Sequence, residues 1–393
     1  MVQQKHLGTN AMVAFITFMN MFIPLSIDLY LPAMPQMGAQ FGAGSALVGM
    51  TLTAFFFFFA VSIVLFGPVS DKYGRRPVLI ASAALYVAAS LICATADSIY
   101  VLIAGRILQA VGAGAIITVA TALIKECFEG ALMTKILAVT QALGVIAPMA
   151  APIIGGVLLT FTSWHGAFYL LTVLGLLNLA LAFLLTETLP RGERYTGGLL
   201  RSMTLLAGFL KYRRFMCILV MLSLLAAPYM AYLAVSSFVY VDEFQLTPQA
   251  YSYYFAVNSA AAVLGPGLYL RLKPRMTNNA ILRFSFTGVF VSALSVFFLG
   301  HIAAIFMLLS FLPFTIIESM IRPFGMDLLL REVKENVGTA SSVINFVQTL
   351  LGSIGMMLGT LPWGDFVQGL AIIMFVVLGL AVAFWRILPP KAI

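Results

Sequence analysis

What most constrains this chain is its segmentation. About a dozen apolar runs, each roughly 20 residues long, follow one another from end to end with no soluble domain between them. They fall near 11–31, 46–68, 77–95, 99–124, 134–158, 165–186, 215–240, 250–270, 280–299, 302–328, 338–360 and 366–388. Each is long enough to cross the hydrocarbon core as a helix. The strands of a membrane barrel would instead alternate in hydrophobicity over about ten residues. The expected fold is therefore an all-α membrane protein with 12 transmembrane helices. Composition agrees: 9% of residues are charged, where soluble domains carry about 25%. Lys5 and His6 precede the first run, but no small-residue cleavage site follows it, so it reads as an uncleaved first span.

The basic residues set the orientation. All but Arg106 and Arg322 of the 22 lysines and arginines lie near the chain termini or at loops joining an even-numbered span to the next odd one. The opposite loops carry Asp97, Asp242, Glu243 and Asp365. By the positive-inside rule both termini are expected in the cytoplasm. Basic residues spread over membrane-edge loops do not form a nucleic-acid-binding surface. Cys93, Cys127 and Cys217 have no metal-ligand spacing, and His6, His165 and His301 are scattered.

The longest loop divides the chain. It suggests a six-span bundle over 1–186, a cytoplasmic linker over 187–214 and a second bundle over 215–393. Within the linker, Leu199, Met203, Leu206 and Leu210 recur at helical spacing beside basic residues, which suggests a helix lying on the membrane surface. The halves echo each other. Gly67-Pro68 and Gly265-Pro266 are 198 positions apart, and each pair is followed by basic residues. Duplicated halves of this kind are a mark of secondary transporters.

Four segments carry motifs. In "GPVSDKYGRRPVL", Gly67 to Leu79, Asp71 sits at a helix end, Gly74 permits a tight turn, and Arg75 and Arg76 can pair with a nearby acid, for which Glu126 is the candidate. "LIAGRILQAVGAGA" places Arg106 inside the fourth span. "GVIAPMAAPIIGG" places Pro148 and Pro152 in the fifth, where they bend it. Its Gly144, Gly155 and Gly156 leave a shallow surface for close packing. "SIDLYLPAMP" puts Asp28 and Tyr30 late in the first run, ahead of Pro32 and Pro35, which are expected to end it.

These segments resemble the major facilitator superfamily over nearly the whole chain. With "SWHGAFYLL" and "VGTASSVINFVQ" they resemble most its twelve-span drug:proton antiporter group (DHA1), the Bcr/CflA type. Ala110, Ala147 and Ala151 stand where the general pattern often has glycine, a variant similar to the drug-exporter branch. The resemblance implies a monomer in the bacterial cytoplasmic (inner) membrane. Such a protein exports small amphipathic molecules by alternating access, using the proton gradient and no cofactor. It implies that the Gly67–Arg76 cluster with Glu126 acts as a conformational switch, and that spans 1, 4, 7 and 10 line a central cavity.

The embedded charges are Asp28, Arg106, Glu318 and Arg322. Glu318 and Arg322 share one face of the tenth span at i,i+4 and can neutralise each other. Asp28 has no partner nearby in sequence, which makes it the candidate proton carrier, with Arg106 as its modulator. The alternative places Asp28 at the outer rim as a helix-ending residue and leaves proton coupling to Glu318. Gln109, Gln141, Tyr229, Tyr232, Asn258, Asn345 and Gln348 complete the expected cavity lining, together with Tyr30. The run Phe55–Phe59 reads as lipid-facing or packed core, since consecutive phenylalanines cover all sides of a helix. Two other readings remain: an importer of a small nutrient on the same fold, and a membrane-embedded enzyme. The chain has no GxxxxGK[ST] loop for ATP and no paired His, Asp or Cys at a membrane face.

Overall fold

The computed structural model describes residues 4–197, 208, 211–332 and 337–387. Its helices are α1 (Thr9–Asp28), α2 (Met34–Phe41), α3 (Ser45–Tyr73), α4 (Arg75–Ala94), α5 (Ile99–Cys127), α6 (Gly130–Leu158) and α7 (His165–Leu184). Then follow α8 (Arg213–Leu224), α9 (Ala227–Ser237), α10 (Pro248–Ala261), α11 (Leu264–Leu272), α12 (Asn278–Leu299), α13 (Ala304–Arg331), α14 (Val337–Gly359) and α15 (Phe366–Ile387). Ten of the described helical stretches are long and apolar enough to cross a membrane. With α6 and the α10–α11 stretch they make the expected twelve passes. The surface helix expected around Leu199–Leu210 lies almost wholly outside the described residues.

The first span differs from expectation. Pro32 and Pro35 do not end it. A 3-10 turn, Leu31–Ala33, links α1 to α2, and the continuous span runs from Thr9 to Phe41. Pro32 lies in the first positions of the 3-10 turn, and Pro35 in the first turn of α2. A missing N–H costs nothing there, and the fixed φ suits a helix start. The prolines therefore begin new turns. Spans 7 and 8 are interrupted too: α8 and α9 break at Leu225–Ala226 before a π-turn over Phe238–Glu243, and α10 and α11 break at 262–263.

Polar caps mark several helix starts. Ser98, Thr247 and Thr277 each accept a backbone N–H from the first turn of α5, α10 and α12. The α3–α4 turn is a single residue, Gly74, at φ +100°, a conformation that suits only glycine.

The helices gather into two compact units, Met1–Met37 with Ala54–Met203, and Gly38–Thr53 with Thr204–Ile393. In the first, α4 packs on α5 and α7, and α1 packs on α6 and α5. In the second, α9 packs on α14, and α13 packs on α12 and α11. One close approach occurs in both. A Cβ added at Gly155 would strike the backbone of Leu29, and one at Gly355 would strike the backbone of Ala227. Leu29 and Ala227 are again 198 positions apart and the two glycines 200, so the internal echo read from the sequence is present in the packing to within two residues.

Candidate functional site

In the first unit the site is built around Arg106 on α5, which is fully buried. One of its terminal nitrogens donates to the Ser26 carbonyl at 2.9 Å and also to Gln109 Oε1. Its guanidinium carbon lies 4.1 Å from the Phe55 ring centre and 4.8 Å from that of Tyr30. A buried arginine is tolerable when its N–H groups meet oxygens and its face meets aromatic rings. Gln109 passes the network on, donating to Ser90 Oγ at 2.8 Å. Ser26 Oγ and the Tyr86 hydroxyl are hydrogen-bonded at 2.5 Å.

Sequence reasoning misses Ser26, Tyr86, Ser90 and Phe55. Ser82, Tyr86 and Ser90 recur every four residues along α4, so a polar stripe on that helix is the available signal. The phenylalanine run is both lipid-facing and core. Phe57 is exposed, whereas Phe55 is buried over the guanidinium.

Asp28 ends α1 and is buried. It stands three residues past the midpoint of the Thr9–Phe41 span, about 5 Å along the helix axis. Its Oδ1 is buried without a hydrogen-bond partner. Among the described residues no cation pairs with it.

The second unit holds Glu318 and Arg322 on α13, joined Nε to Oε1 at 2.8 Å as their spacing predicts. Arg322 lies 5.9 Å from the Tyr229 ring centre. Tyr232 is buried in a stack with Phe311 at 4.2 Å and Phe255 at 6.2 Å. Asn258 is buried and accepts from Thr315 Oγ1 at 2.8 Å. Asn345 is exposed and Gln348 half-buried on α14, so neither joins this buried polar cluster. Gln141 and Gly144 lie on α6, and their side chains fall outside the described residues. Pro148, Pro152, Gly155 and Gly156 also sit on α6, where Gly155 lets α1 approach.

At one end of the first unit Arg75 is a hub. It pairs with Asp71 at 2.6 Å and with Glu126 at 2.8 Å, and it donates to Ser70 Oγ at 2.6 Å. Glu126 is thus the acid that meets the basic loop. Glu187, not foreseen, accepts the backbone N–H groups of Arg75 and Arg76 at the start of α4. Gly67 borders open space. The second unit repeats the hub. Lys273 pairs with Asp327 at 2.9 Å, and Tyr269 and Arg331 reach the same carboxylate. Lys273 stands 198 positions after Arg75. The offset that relates the two Gly-Pro pairs could have located it.

One substitution tests the Arg106 geometry. Arg106→Lys keeps the charge and loses the planar fork and the ring stacking. Transport should be lost, while the purified variant should unfold within a few degrees of the parent. Wild-type transport by this variant would mean that the fork is dispensable.

Twelve passes in two related units, with Asp28, Arg106 and Glu318 buried among the helices, are the build of a multi-pass membrane transporter. Residues 11–356 match the Major Facilitator Superfamily pattern, and the chain belongs to that family. It is 31% identical over 336 residues to the uncharacterized MFS-type transporter YdgK of Bacillus subtilis, covering 84% of each chain. It is 25% identical over 365 residues to the bicyclomycin resistance protein homolog of Haemophilus influenzae, covering 90% of this chain and 89% of that one. The D-xylose-proton symporter crystal structure superposes with a TM-score of 0.76 at 15% identity, over 96% of this chain and 97% of that one. At that identity the likeness is one of fold.

Proposed function

We propose that this protein exports small amphipathic compounds from the cytoplasm in exchange for protons, acting as a monomer with both termini in the cytoplasm. The observation that carries the reading is Asp28, a buried carboxylate at the end of α1 with Oδ1 unpartnered and no cation paired to it among the described residues. A charge left this way is costly, and a bound proton removes the cost. Bringing the carboxylate to water, or to the Arg106 guanidinium, reverses the preference. A group that alternates between such surroundings carries a proton across. The related bicyclomycin resistance protein homolog supports export as the direction. The Arg75 hub serves as the conformational switch in this reading.

The test uses everted vesicles with an imposed pH gradient. Adding a transported compound should collapse part of the gradient with the wild-type protein and none of it with Asp28→Asn. Exchange of labelled for unlabelled compound should survive in the variant, because exchange needs no net proton movement. Gradient collapse at the wild-type rate in Asp28→Asn would move the coupling to Glu318.

A further inference from the structure

The Glu318–Arg322 pair is lopsided. The Glu318 side chain is 4% exposed and that of Arg322 is 54% exposed. Arg322 lies within the span of α13. An accessible cation at such a place faces water, not lipid. The charge offered to a solute is therefore the positive one.

The bond geometry adds a second point. Arg322 meets Glu318 through Nε. Its two terminal nitrogens, on the far edge of the guanidinium, make no hydrogen bond or ion pair among the described residues. That edge is the one that grips a carboxylate with two parallel bonds. Beside it stands the Tyr229 ring, a flat apolar surface for the body of a ligand. The nearest other charges on α13, Asp327 and Arg331, are already joined to each other and to Lys273.

We infer that Arg322 is an anion-recognition point, and that the compounds this site takes include organic acids with an aromatic or bulky apolar body and a free carboxylate. This rests on the transporter reading above and names a substrate class for it. Glu318 is then a positioning residue that holds the guanidinium through Nε and turns the fork outward.

The experiment compares matched acids and amides on the purified full chain by titration calorimetry. The probes are 4-phenylbutyrate against 4-phenylbutyramide, and 2-naphthoate against 2-naphthamide. In the wild-type protein each acid should bind roughly tenfold or more tightly than its amide, the gain expected of a charge-assisted bidentate contact. Arg322→Gln should abolish that preference. Glu318→Gln keeps the guanidinium and should retain it, which separates lost recognition from lost folding. Acids and amides that bind alike to the wild-type protein, or not at all, would overturn the inference, as would a preference that persists in Arg322→Gln. Gradient collapse driven by other compounds, with no acid preference, sinks this inference alone. An acid preference without any gradient collapse sinks the export reading and leaves the anion site standing.

Discussion

Gly155→Leu should leave almost no folded protein in the membrane, and Gly355→Leu should do the same from the second unit. At Gly155 an added Cβ would overlap the Leu29 carbonyl, with its carbon only 2.9 Å away; at Gly355 the Ala227 carbonyl carbon and Cα are both 2.8 Å away. These neighbours are backbone, so no rotamer change relieves the overlap. The helices must separate, at a cost of about 3 kcal/mol or more. Gly379→Ala is the control. It also lies in a helix, but nothing stands within 4 Å of the new methyl, and alanine favours a helix over glycine by up to about 1 kcal/mol. Membrane abundance and thermal unfolding of the purified variants read the outcome. Wild-type abundance and stability in Gly155→Leu would show that α1 and α6 do not pack as described.

The second large effect concerns the two hubs, and the expectation is that they are unequal. The Arg75 side chain is 9% exposed, and it serves Asp71, Glu126 and Ser70 together. Arg75→Gln strands the Glu126 carboxylate, which keeps only Thr188 as a hydrogen-bond partner among the described residues. Leaving this carboxylate, which is 21% exposed, without its cation costs about 2 kcal/mol. Lys273 and Asp327 are 28% and 31% exposed, and water screens them. Lys273→Gln should cost about 1 kcal/mol or less. Thermal unfolding of the two variants side by side tests the ranking, and equal losses would refute it.

Much of this molecule is legible in its sequence. Hydropathy locates twelve spans, because an apolar run of that length has few other fates. The Arg75–Glu126 pair and the Glu318–Arg322 pair are both foreseeable, the first from a charged turn in need of an acid, the second from helical spacing. The burial of Asp28 is not. Proline is ambiguous in a sequence, since it starts a helix as readily as it ends one, and only the fold shows that Pro32 and Pro35 continue the span to Phe41. The bed of Arg106 is hidden for another reason. Phe55, Ser26 and Tyr86 come from three other helices, and their meeting depends on tertiary packing that local periodicity does not encode. The second hub escapes a local reading because its cation and its acid lie far apart in the chain, although the repeat offset points to Lys273.

That offset has one more consequence. Carried to the end of α1, it sets Asp28 against Ala226, a methyl group with nothing to titrate. Arg75 and Leu29 have counterparts at that offset, Lys273 and Ala227, but this carboxylate does not. In the proposed mechanism a proton seated on Asp28 is therefore held by residues of the first unit.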